Sequence, residues 1–311
     1  MVTYRAINWN AVEDEMDKVV WDRLTSNFWL PEKVPVSNDQ ASWAKMTEAE
    51  REVVKKVFAS LTLLDTLQSE IGAPRLAVHS STDHERAVFS NIAFMEAVHA
   101  KSYSTIFSTL CSTDEINQLF RWAEEDDLLQ AQVDVINNLY ASYQPQWMRV
   151  ASVFLESFLF YSGFYAPLRL ASEGRLTNTA DIIRLIMRDE GVHGFYIGYK
   201  YQQGPMGPVM ENDFRNVLEK LYAVEALRAE ELYDEVGWTE DVKKYLRYNA
   251  NKALANLGMA PMFDSEHTEI PAYIMSALDI SGSETHDFFS GSGASYVVGK
   301  AEATDDDDWS W

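Results

Sequence analysis

A Glu-x-x-His pattern that occurs twice is the first feature of this 311-residue chain that can support chemistry. The two copies pair Glu96 with His99 and Glu190 with His193. Residues three apart share one face of a helix, so each copy presents a carboxylate beside an imidazole. Patterns this short also arise by chance, so the two copies alone are weak evidence for a site.

Two further carboxylates lie in apolar sequence where a charged side chain is unexpected. Asp65 lies in the leucine-rich residues 61–67, and Glu156 lies in residues 153–160, which are mostly apolar. A buried carboxylate costs several kcal/mol unless it is paired or bound to a metal. Asp65 precedes Glu96 by 31 residues and Glu156 precedes Glu190 by 34, so the two halves repeat one arrangement.

The combined set of six side chains predicts a dinuclear metal site in the core of a helical bundle. Four carboxylates and two imidazoles from four helices are the ligand set of carboxylate-bridged sites in ferritin-like bundles. These ligand types suit iron and manganese equally. A buried ion-pair network is the alternative, and it is disfavoured because no Lys or Arg accompanies the acids on their apolar faces. The predicted ligands are Asp65, Glu96, His99, Glu156, Glu190 and His193.

A tyrosine one helical turn beyond the first pattern is placed to take part in this chemistry. Tyr103 follows His99 by four residues and is expected on the same face. Phe160, Phe164 and Ile186 are expected on the faces that carry the other ligands, where they would form a dry apolar wall. A phenol that is close to redox metals and sealed from water suits a stable one-electron-oxidised tyrosyl.

Long helices are the elements that must position these residues. The chain has only 14 Gly and 9 Pro, and its apolar residues recur at three- and four-residue spacing. Capping boxes are predicted at Thr47, Thr82 and Ser112, and Thr177 or Asn178 is expected to cap the second Glu-x-x-His helix. Helices of this length usually pack side by side, so the predicted fold class is an all-α bundle. The predicted helices lie near residues 11–26, 47–71, 84–110, 114–141, 146–171, 179–203, 211–236 and 239–256.

The C-terminal stretch, residues 284–311, differs in composition from the predicted helical domain, residues 1–283. It is rich in Gly and Ser, and its seven acids against one Lys give a charge of −6. Such a segment cannot bury enough apolar surface to order itself. Its aromatic residues are Phe288, Phe289, Tyr296, Trp309 and Trp311. We therefore expect a disordered tail that docks on a partner protein.

Overall composition excludes several classes of function. With 26 basic and 48 acidic residues, the net charge of −22 disfavours nucleic acid and anionic membranes as partners. The single cysteine, Cys111, rules out an internal disulfide and a thiolate metal cluster. The chain lacks an apolar run of membrane-spanning length and an N-terminal signal core. We expect a cytoplasmic protein.

At these residues the chain resembles the radical-generating small (beta) subunit of class I ribonucleotide reductase, and its local sequence resembles the class Ib branch. The resemblance covers residues 23–38, 61–68, 91–103, 151–164, 176–200, 248–258 and 287–300. It implies a ferritin-like bundle whose dinuclear manganese or iron centre generates a tyrosyl radical. That radical would pass to a large catalytic subunit, which reduces ribonucleoside diphosphates to deoxyribonucleotides.

The resemblance also implies a role for individual residues. The six residues named above would bind the metals, Tyr103 would carry the radical, and the predicted apolar wall would be its pocket. Trp29, Asp189 and His99 match a radical relay, and Tyr296 matches its last residue before the large subunit. The resemblance further implies a homodimer, docking of the C-terminal tail on the large subunit, and a flavodoxin-like activator if the metal is manganese.

Two departures from the family pattern leave questions open. Gly191 stands where the family usually has Ala, and a helical Gly costs up to about 1 kcal/mol. It either loosens the second ligand helix or allows closer packing there. The chain ends with Trp309-Ser310-Trp311, whereas relatives end in Phe, which would alter the fit to the partner.

Two rival functions share the predicted ligand set. A ferritin-like iron store would bind the same metals, yet it would need neither a tyrosine in a dry pocket nor an aromatic tail. An oxidase of the same fold would act on its own small substrate and would need a pocket that opens to the metals.

Overall fold

The computed structural model describes residues 5–205 and 208–279, and within these ranges it contains helices and no β-strand. The predicted all-α fold is therefore confirmed, while the predicted tail, residues 284–311, lies outside the described residues. None of the helices described is both long and apolar enough to cross a membrane. The helices are α1 Glu15–Ser26, α2 Gln40–Trp43, α3 Glu48–Leu67, α4 Ala73–Val78, α5 Asp83–Leu110, α6 Thr113–Glu125, α7 Asp127–Tyr140, α8 Pro145–Phe154, α9 Phe160–Ser172, α10 Thr177–Gln202, α11 Pro208–Tyr233, α12 Thr239–Asn256 and α13 Ala272–Asp279.

The helices that carry the predicted ligands form the centre of the bundle. Helix α3 packs against α5 and α9, and α10 packs against α5, α8 and α9. The side chains between them are large and fully buried, and each contributes about 1.5–3 kcal/mol of hydrophobic stabilisation. Examples are Trp29, Phe58, Phe89, Phe107 and Phe154. This packing holds the helices that carry the ligands in fixed relative positions.

Two of the predicted long helices contain π-helical turns. The turn Gln68–Gly72 joins α3 to α4, and the turn Leu155–Leu159 joins α8 to α9. A π-helical turn bonds residue i to i+5 and adds one residue to the turn, a feature common at functional sites. The sequence placed Phe160 on the face of Glu156 by regular α-helical spacing. That spacing is wrong, because the π-helical turn lies between the two residues. Phe160 is nevertheless fully buried.

One predicted helix, residues 114–141, is in fact two helices that meet at Asp126. The Asp126 backbone is extended (φ −72°, ψ 110°), which ends α6. Its carboxylate accepts a hydrogen bond of 2.8 Å from the Leu129 amide and so caps α7. Asp is a favoured N-cap residue, and here its capping role prevails over the continuous apolar periodicity.

The predicted capping boxes are confirmed at Thr47 and Ser112 and only half formed at Thr82. The Thr82 hydroxyl accepts from the Glu85 amide at 3.0 Å. The Glu85 carboxylate, however, accepts from the Ser81 amide at 2.8 Å and pairs with Arg149 at 3.1 Å. A buried ion pair therefore takes the place of the second capping bond.

Helix α10 is capped from a distant part of the chain, and the prediction that Thr177 or Asn178 caps it is wrong. Asp39 Oδ2 accepts from the Thr179 amide at 2.6 Å, and Asp39 Oδ1 accepts from the Asn178 amide at 3.2 Å. A buried carboxylate at this end also complements the helix dipole. Asp39 thereby anchors the first turn of the helix that carries the second Glu-x-x-His pattern.

Candidate metal centre

The six predicted ligands converge between the central helices, and each is at most 1 % exposed. Helix α3 supplies one carboxylate, α5 and α10 each supply a Glu and a His, and the π-helical turn before α9 supplies the last carboxylate. In that order the residues are Asp65, Glu96 with His99, Glu190 with His193, and Glu156.

The cluster divides into two overlapping groups, within each of which the ligand atoms lie no more than 4.8 Å apart. One group comprises Glu96, Glu156, Glu190 and His193, and the other comprises Asp65, Glu96 and His99. Glu96 belongs to both groups. Two adjoining sites with one shared carboxylate are what a dinuclear centre requires.

Two glutamates each turn one oxygen to each imidazole. Glu96 Oε1 lies 2.8 Å from His193 Nδ1, and Glu96 Oε2 lies 3.6 Å from His99 Nδ1. Glu190 Oε1 lies 3.0 Å from His99 Nδ1, and Glu190 Oε2 lies 3.5 Å from His193 Nδ1. Both carboxylates therefore lie between the two imidazoles, where they would help to hold a pair of cations.

Unpaired polar atoms in the cluster indicate that a cation belongs there. Both carboxylate oxygens of Asp65 are buried and make no hydrogen bond within the described part of the chain, and those of Glu96 and Glu190 have the two imidazoles as partners there. An unsatisfied buried acceptor costs about 1–3 kcal/mol, and more when it is charged. Four carboxylates also face only two imidazoles, so acid groups exceed the available positive charge. Oxygen and imidazole donors in this ratio fit two iron or manganese ions.

The pKa values of the metal-free cluster show how strongly these groups are coupled. Burial and the neighbouring Glu96 charge raise the pKa of Asp65 well above its ordinary value, and burial with Glu96 and Glu156 does the same for Glu190. Burial opposes the charged form of Glu96, but the two imidazoles outweigh it and lower its pKa to about 2. Burial likewise disfavours the charged form of His99, yet Glu96 and Asp189 raise its pKa to about 10. Without metal the cluster therefore retains protons that balance its negative charge.

A buried hydrogen-bond chain connects the cluster to Trp29. The Trp29 indole Nε1 donates to Asp189 Oδ2 at 2.7 Å, and His99 Nε2 lies 3.2 Å from the same oxygen. The Trp29 and His99 rings also stack, with centroids 6.0 Å apart. The three residues that match the family's relay therefore form one connected path. Asp189 orients His99 so that Nδ1 points into the cluster.

Tyr103 is fully buried, and its hydroxyl has no hydrogen-bond partner among the residues described. Burial and the charges of Asp65, Glu190 and Glu96 raise its pKa well above the ordinary value. Its ring lies against Phe58, with centroids 5.5 Å apart. The predicted pocket residues Phe160, Phe164 and Ile186 are each 0 % exposed.

Sequence reasoning missed two residues of this region. Phe58 lies seven residues before Asp65 on α3, and that helical spacing is a signal that could have revealed it. Gln68 donates a hydrogen bond of 2.5 Å to Glu156 Oε1. No sequence signal marks Gln68, because its position depends on the π-helical turn that it begins.

Comparison with known proteins places this chain in a family. The model of the family "Ribonucleotide reductase, small chain" matches residues 6–271. The ribonucleoside-diphosphate reductase subunit beta of Mycobacterium leprae is 55% identical, over 98% of this chain and 95% of that protein. The ribonucleoside-diphosphate reductase 2 subunit beta of Escherichia coli is 54% identical, over 98% of each chain. The crystal structure of the dimanganese(II) NrdF of Streptococcus sanguinis superposes with a TM-score of 0.86 at 48% identity, covering 89% of this chain and 100% of that one. The chain therefore belongs to the ribonucleotide reductase small-chain family.

Proposed function

We propose that this chain is the radical-generating subunit of a ribonucleoside-diphosphate reductase. Six residues would hold two manganese or iron ions, and Tyr103 would carry the radical. The observation that supports this most strongly is the buried cluster, in which two overlapping ligand groups share Glu96 and both oxygens of Asp65 have no hydrogen bond within the described residues. The dimanganese(II) relative with the same fold supports manganese in this place, and the ligand types also suit iron.

The residues of this chain would protect the radical and control its transfer. When bound, the metal pair supplies the one-electron oxidising power that a phenol requires. Tyr103 would give up one electron to the metal pair once oxygen or a reduced oxygen species has oxidised it, and the phenolic proton would pass to a carboxylate of the cluster, where Asp65 and Glu190 have raised pKa values. The side chains of Phe58, Phe160, Phe164 and Ile186 are buried and hard to oxidise, so they would keep water and reductants away from the phenoxyl.

The chain Trp29–Asp189–His99 would carry the hole away from the metal centre. Asp189 Oδ2 accepts from the Trp29 indole and faces His99 Nε2. One carboxylate can therefore compensate positive charge on either ring as the hole passes. Burial of Trp29 and Asp189, which are 0 % and 1 % exposed, keeps this path dry.

The final steps would involve other proteins. Tyr296 in the tail would be the last relay residue of this chain, and residues 284–311 would dock on the large catalytic subunit. Both lie outside the described residues, so the sequence and its resemblance support this part. We also propose a homodimer, a flavodoxin-like activator for a manganese form, and a cytoplasmic location.

The two rival functions fit the geometry less well. An iron store has no use for the fully buried Tyr103 or for a connected path to Trp29. An oxidase with its own small substrate needs an opening to the metals, whereas the six ligands are at most 1 % exposed. The geometry therefore favours radical generation.

Metal analysis of ligand variants tests the proposal. The wild-type chain should bind two metal ions, whereas Glu96→Ala and His193→Ala should lose most of the bound metal and retain their helicity. Glu225→Gln is the matched control, since Glu225 is a buried carboxylate that pairs with Arg228 away from the cluster. Unchanged metal content in both ligand variants would rule out the assigned site.

A further inference from the structure

Three buried polar side chains lead to Glu156 from the side opposite His193. Gln68 Nε2 lies 2.5 Å from Glu156 Oε1, and Tyr140 Oη lies 2.5 Å from Gln68 Oε1. Ser152 Oγ lies 2.8 Å from Tyr140 Oη. Gln68, Tyr140 and Ser152 are each 0 % exposed, so water does not compete for these bonds.

The donors in this chain can be arranged in only one consistent order. A carboxylate only accepts, so the Gln68 amide must turn its NH₂ group to Glu156 and its oxygen to Tyr140. The Tyr140 hydroxyl then donates its single proton to Gln68 Oε1, and it accepts from the Ser152 hydroxyl. Burial raises the pKa of Tyr140 well above its ordinary value, so this donor keeps its proton at physiological pH.

The backbone at Gly72 leaves just enough space for the Gln68 amide and the Tyr140 hydroxyl. A Cβ atom on Gly72 would lie 2.0 Å from Gln68 Oε1 and 2.5 Å from Tyr140 Oη, so a larger residue would displace the amide. Gln68 and Glu156 both belong to π-helical turns, and their hydrogen bond connects the two turns. The amide is therefore confined by the helix geometry as well as by hydrogen bonds.

The result is that the two oxygens of Glu156 have different surroundings. Oε1 is bound to Gln68, whereas Oε2 lies 3.2 Å from His193 Nδ1 and faces the cluster. Asp65 belongs to the other ligand group. It has no hydrogen bond at either oxygen within the described ranges. The two halves of the centre therefore differ, because hydrogen bonds hold Glu156 in one half but not Asp65 in the other.

We infer that Gln68, oriented by Tyr140 and Ser152, is a positioning residue that holds Glu156 with one oxygen toward the metal group of Glu190 and His193. These hydrogen bonds thereby set the metal affinity of that half of the centre, and they leave the affinity of the half that contains Asp65 unaffected. This inference rests on the proposed function, because it takes Glu156 as a metal ligand. Hydrogen-bonding partners of metal ligands typically change affinity by about 10–100-fold.

Titration of the metal-free, full-length chain with Mn²⁺ tests this inference, with unbound Mn²⁺ measured by electron paramagnetic resonance. Gln68→Leu should weaken one of the two Mn²⁺ sites by about 10–100-fold and leave the other unchanged. Tyr140→Phe keeps the amide but removes its orienting donor, so it should weaken the same site by less. Gly72→Ala, which changes no polar group, should act on that site too, since it displaces the amide.

A matched control separates positioning from general stability. Gln132 Nε2 donates a 2.5 Å hydrogen bond to Glu225 Oε2, and this buried pair lies away from the cluster. Gln132→Leu should lower the temperature of thermal unfolding about as much as Gln68→Leu, yet keep both Mn²⁺ affinities and the spectrum of bound Mn²⁺. Gln68→Leu should alter that spectrum.

The outcomes distinguish this inference from the proposed function. Glu156→Ala should lose one Mn²⁺ site, and retention of both sites at wild-type affinity would overturn the proposed function itself. Loss of a site in Glu156→Ala, with wild-type affinities in Gln68→Leu and Tyr140→Phe, would overturn only the role of Gln68. If Gln68→Leu fails to fold, Tyr140→Phe and Gly72→Ala decide the question, and wild-type binding in both would overturn that role.

Discussion

The Trp29 indole donates a hydrogen bond of 2.7 Å to Asp189 although 160 residues separate the two in sequence. The acceptor oxygen, Oδ2, also faces His99 Nε2 at 3.2 Å. Asp189 thus contacts both rings through one atom. A carboxylate oxygen has two lone pairs, so Oδ2 can accept from both rings at once, and a charged acceptor makes both hydrogen bonds stronger.

Replacing Asp189 with Asn tests this link. The amide keeps the shape of the side chain but removes the charge, so the protein loaded with excess metal should still form the Tyr103 radical, although its metal affinity falls. Deoxynucleotide formation with the large subunit should fall by about 10–100-fold. Asp181→Asn is the control, since Asp181 is 58 % exposed on the same helix and forms an ion pair with Arg184. Wild-type turnover in Asp189→Asn would exclude Asp189 from the relay.

Tyr103→Phe should abolish the tyrosyl signal and nucleotide reduction without loss of metal. The Tyr103 hydroxyl makes no hydrogen bond within the described residues, so its removal should leave the free energy of unfolding within about 1 kcal/mol of wild type. Electron paramagnetic resonance, metal analysis and thermal unfolding check the three parts. Tyr245→Phe is the control, because its hydroxyl is equally buried and unpaired. A surviving signal of the same line shape would assign the radical to another residue, such as Tyr161 or Tyr165.

Metal affinity should increase with pH. In the metal-free cluster the carboxylates hold the pKa of His99 at about 10, above its ordinary 6.5, and raise that of His193 as well. A metal binds only the neutral imidazole, so binding displaces these protons. Each displaced proton should raise the apparent affinity about tenfold per pH unit, which Mn²⁺ titrations at several pH values measure. A pH-independent affinity would contradict the protonated state of the metal-free site.

The raised pKa of His99 has the opposite effect on the stability of the metal-free protein, which should fall as pH rises. Because the pKa of His99 is raised in the folded state, its contribution to stability is complete below pH 6.5 and is lost as pH rises through about 10. Thermal unfolding of the metal-free protein over this range, compared with His99→Gln, isolates that contribution. If the stability of the wild-type protein changes with pH no more than that of His99→Gln, the contribution of His99 is contradicted.

Gly191 and Gly198 lie on α10 but should respond oppositely to Ala. Apart from the backbone of α10 itself, no atom of the described residues lies within 4 Å of a Cβ placed on Gly191, so closer packing within this chain, one of the two explanations considered for this Gly, is wrong. Gly191→Ala should stabilise the protein by about 0.5–1 kcal/mol through helix propensity. A Cβ on Gly198 would lie 2.2 Å from the Asn256 carbonyl oxygen, so Gly198→Ala should destabilise it. Denaturant unfolding measures both, and a destabilised Gly191→Ala would show that the space is not free.

Helical spacing predicted much of the fold and the residues of the candidate site, because it depends only on local periodicity. The pairs Glu96 with His99 and Glu190 with His193 lie within single α-helices, where three-residue spacing holds. What escaped prediction depends on tertiary contacts. Asp39 caps α10 from 140 residues away, and Gln68 reaches Glu156 only because both belong to π-helical turns.

The C-terminal tail should separate binding from turnover. Residues 284–311 are acidic, rich in Gly and Ser, and yet aromatic, which is the composition of a disordered peptide that orders on a partner. Deleting residues 305–311 should weaken binding to the large subunit and leave metal loading and the Tyr103 radical intact. Added salt should weaken binding only modestly, because buried aromatic side chains dominate affinity in such interfaces. Undiminished binding by the truncated chain would remove the terminus as the anchor.

Tyr296→Phe should have a different effect from that truncation. Phe keeps the ring and most of its packing, but it cannot form a phenoxyl at a useful potential. Complex formation with the large subunit should therefore survive while deoxynucleotide formation stops. Both quantities are measured on one sample, with Phe289→Leu as a control that changes a neighbouring aromatic residue without touching a phenol. Because the two assays share the sample, normal binding with normal turnover would remove Tyr296 from the relay, whereas loss of both would make it part of the anchor instead.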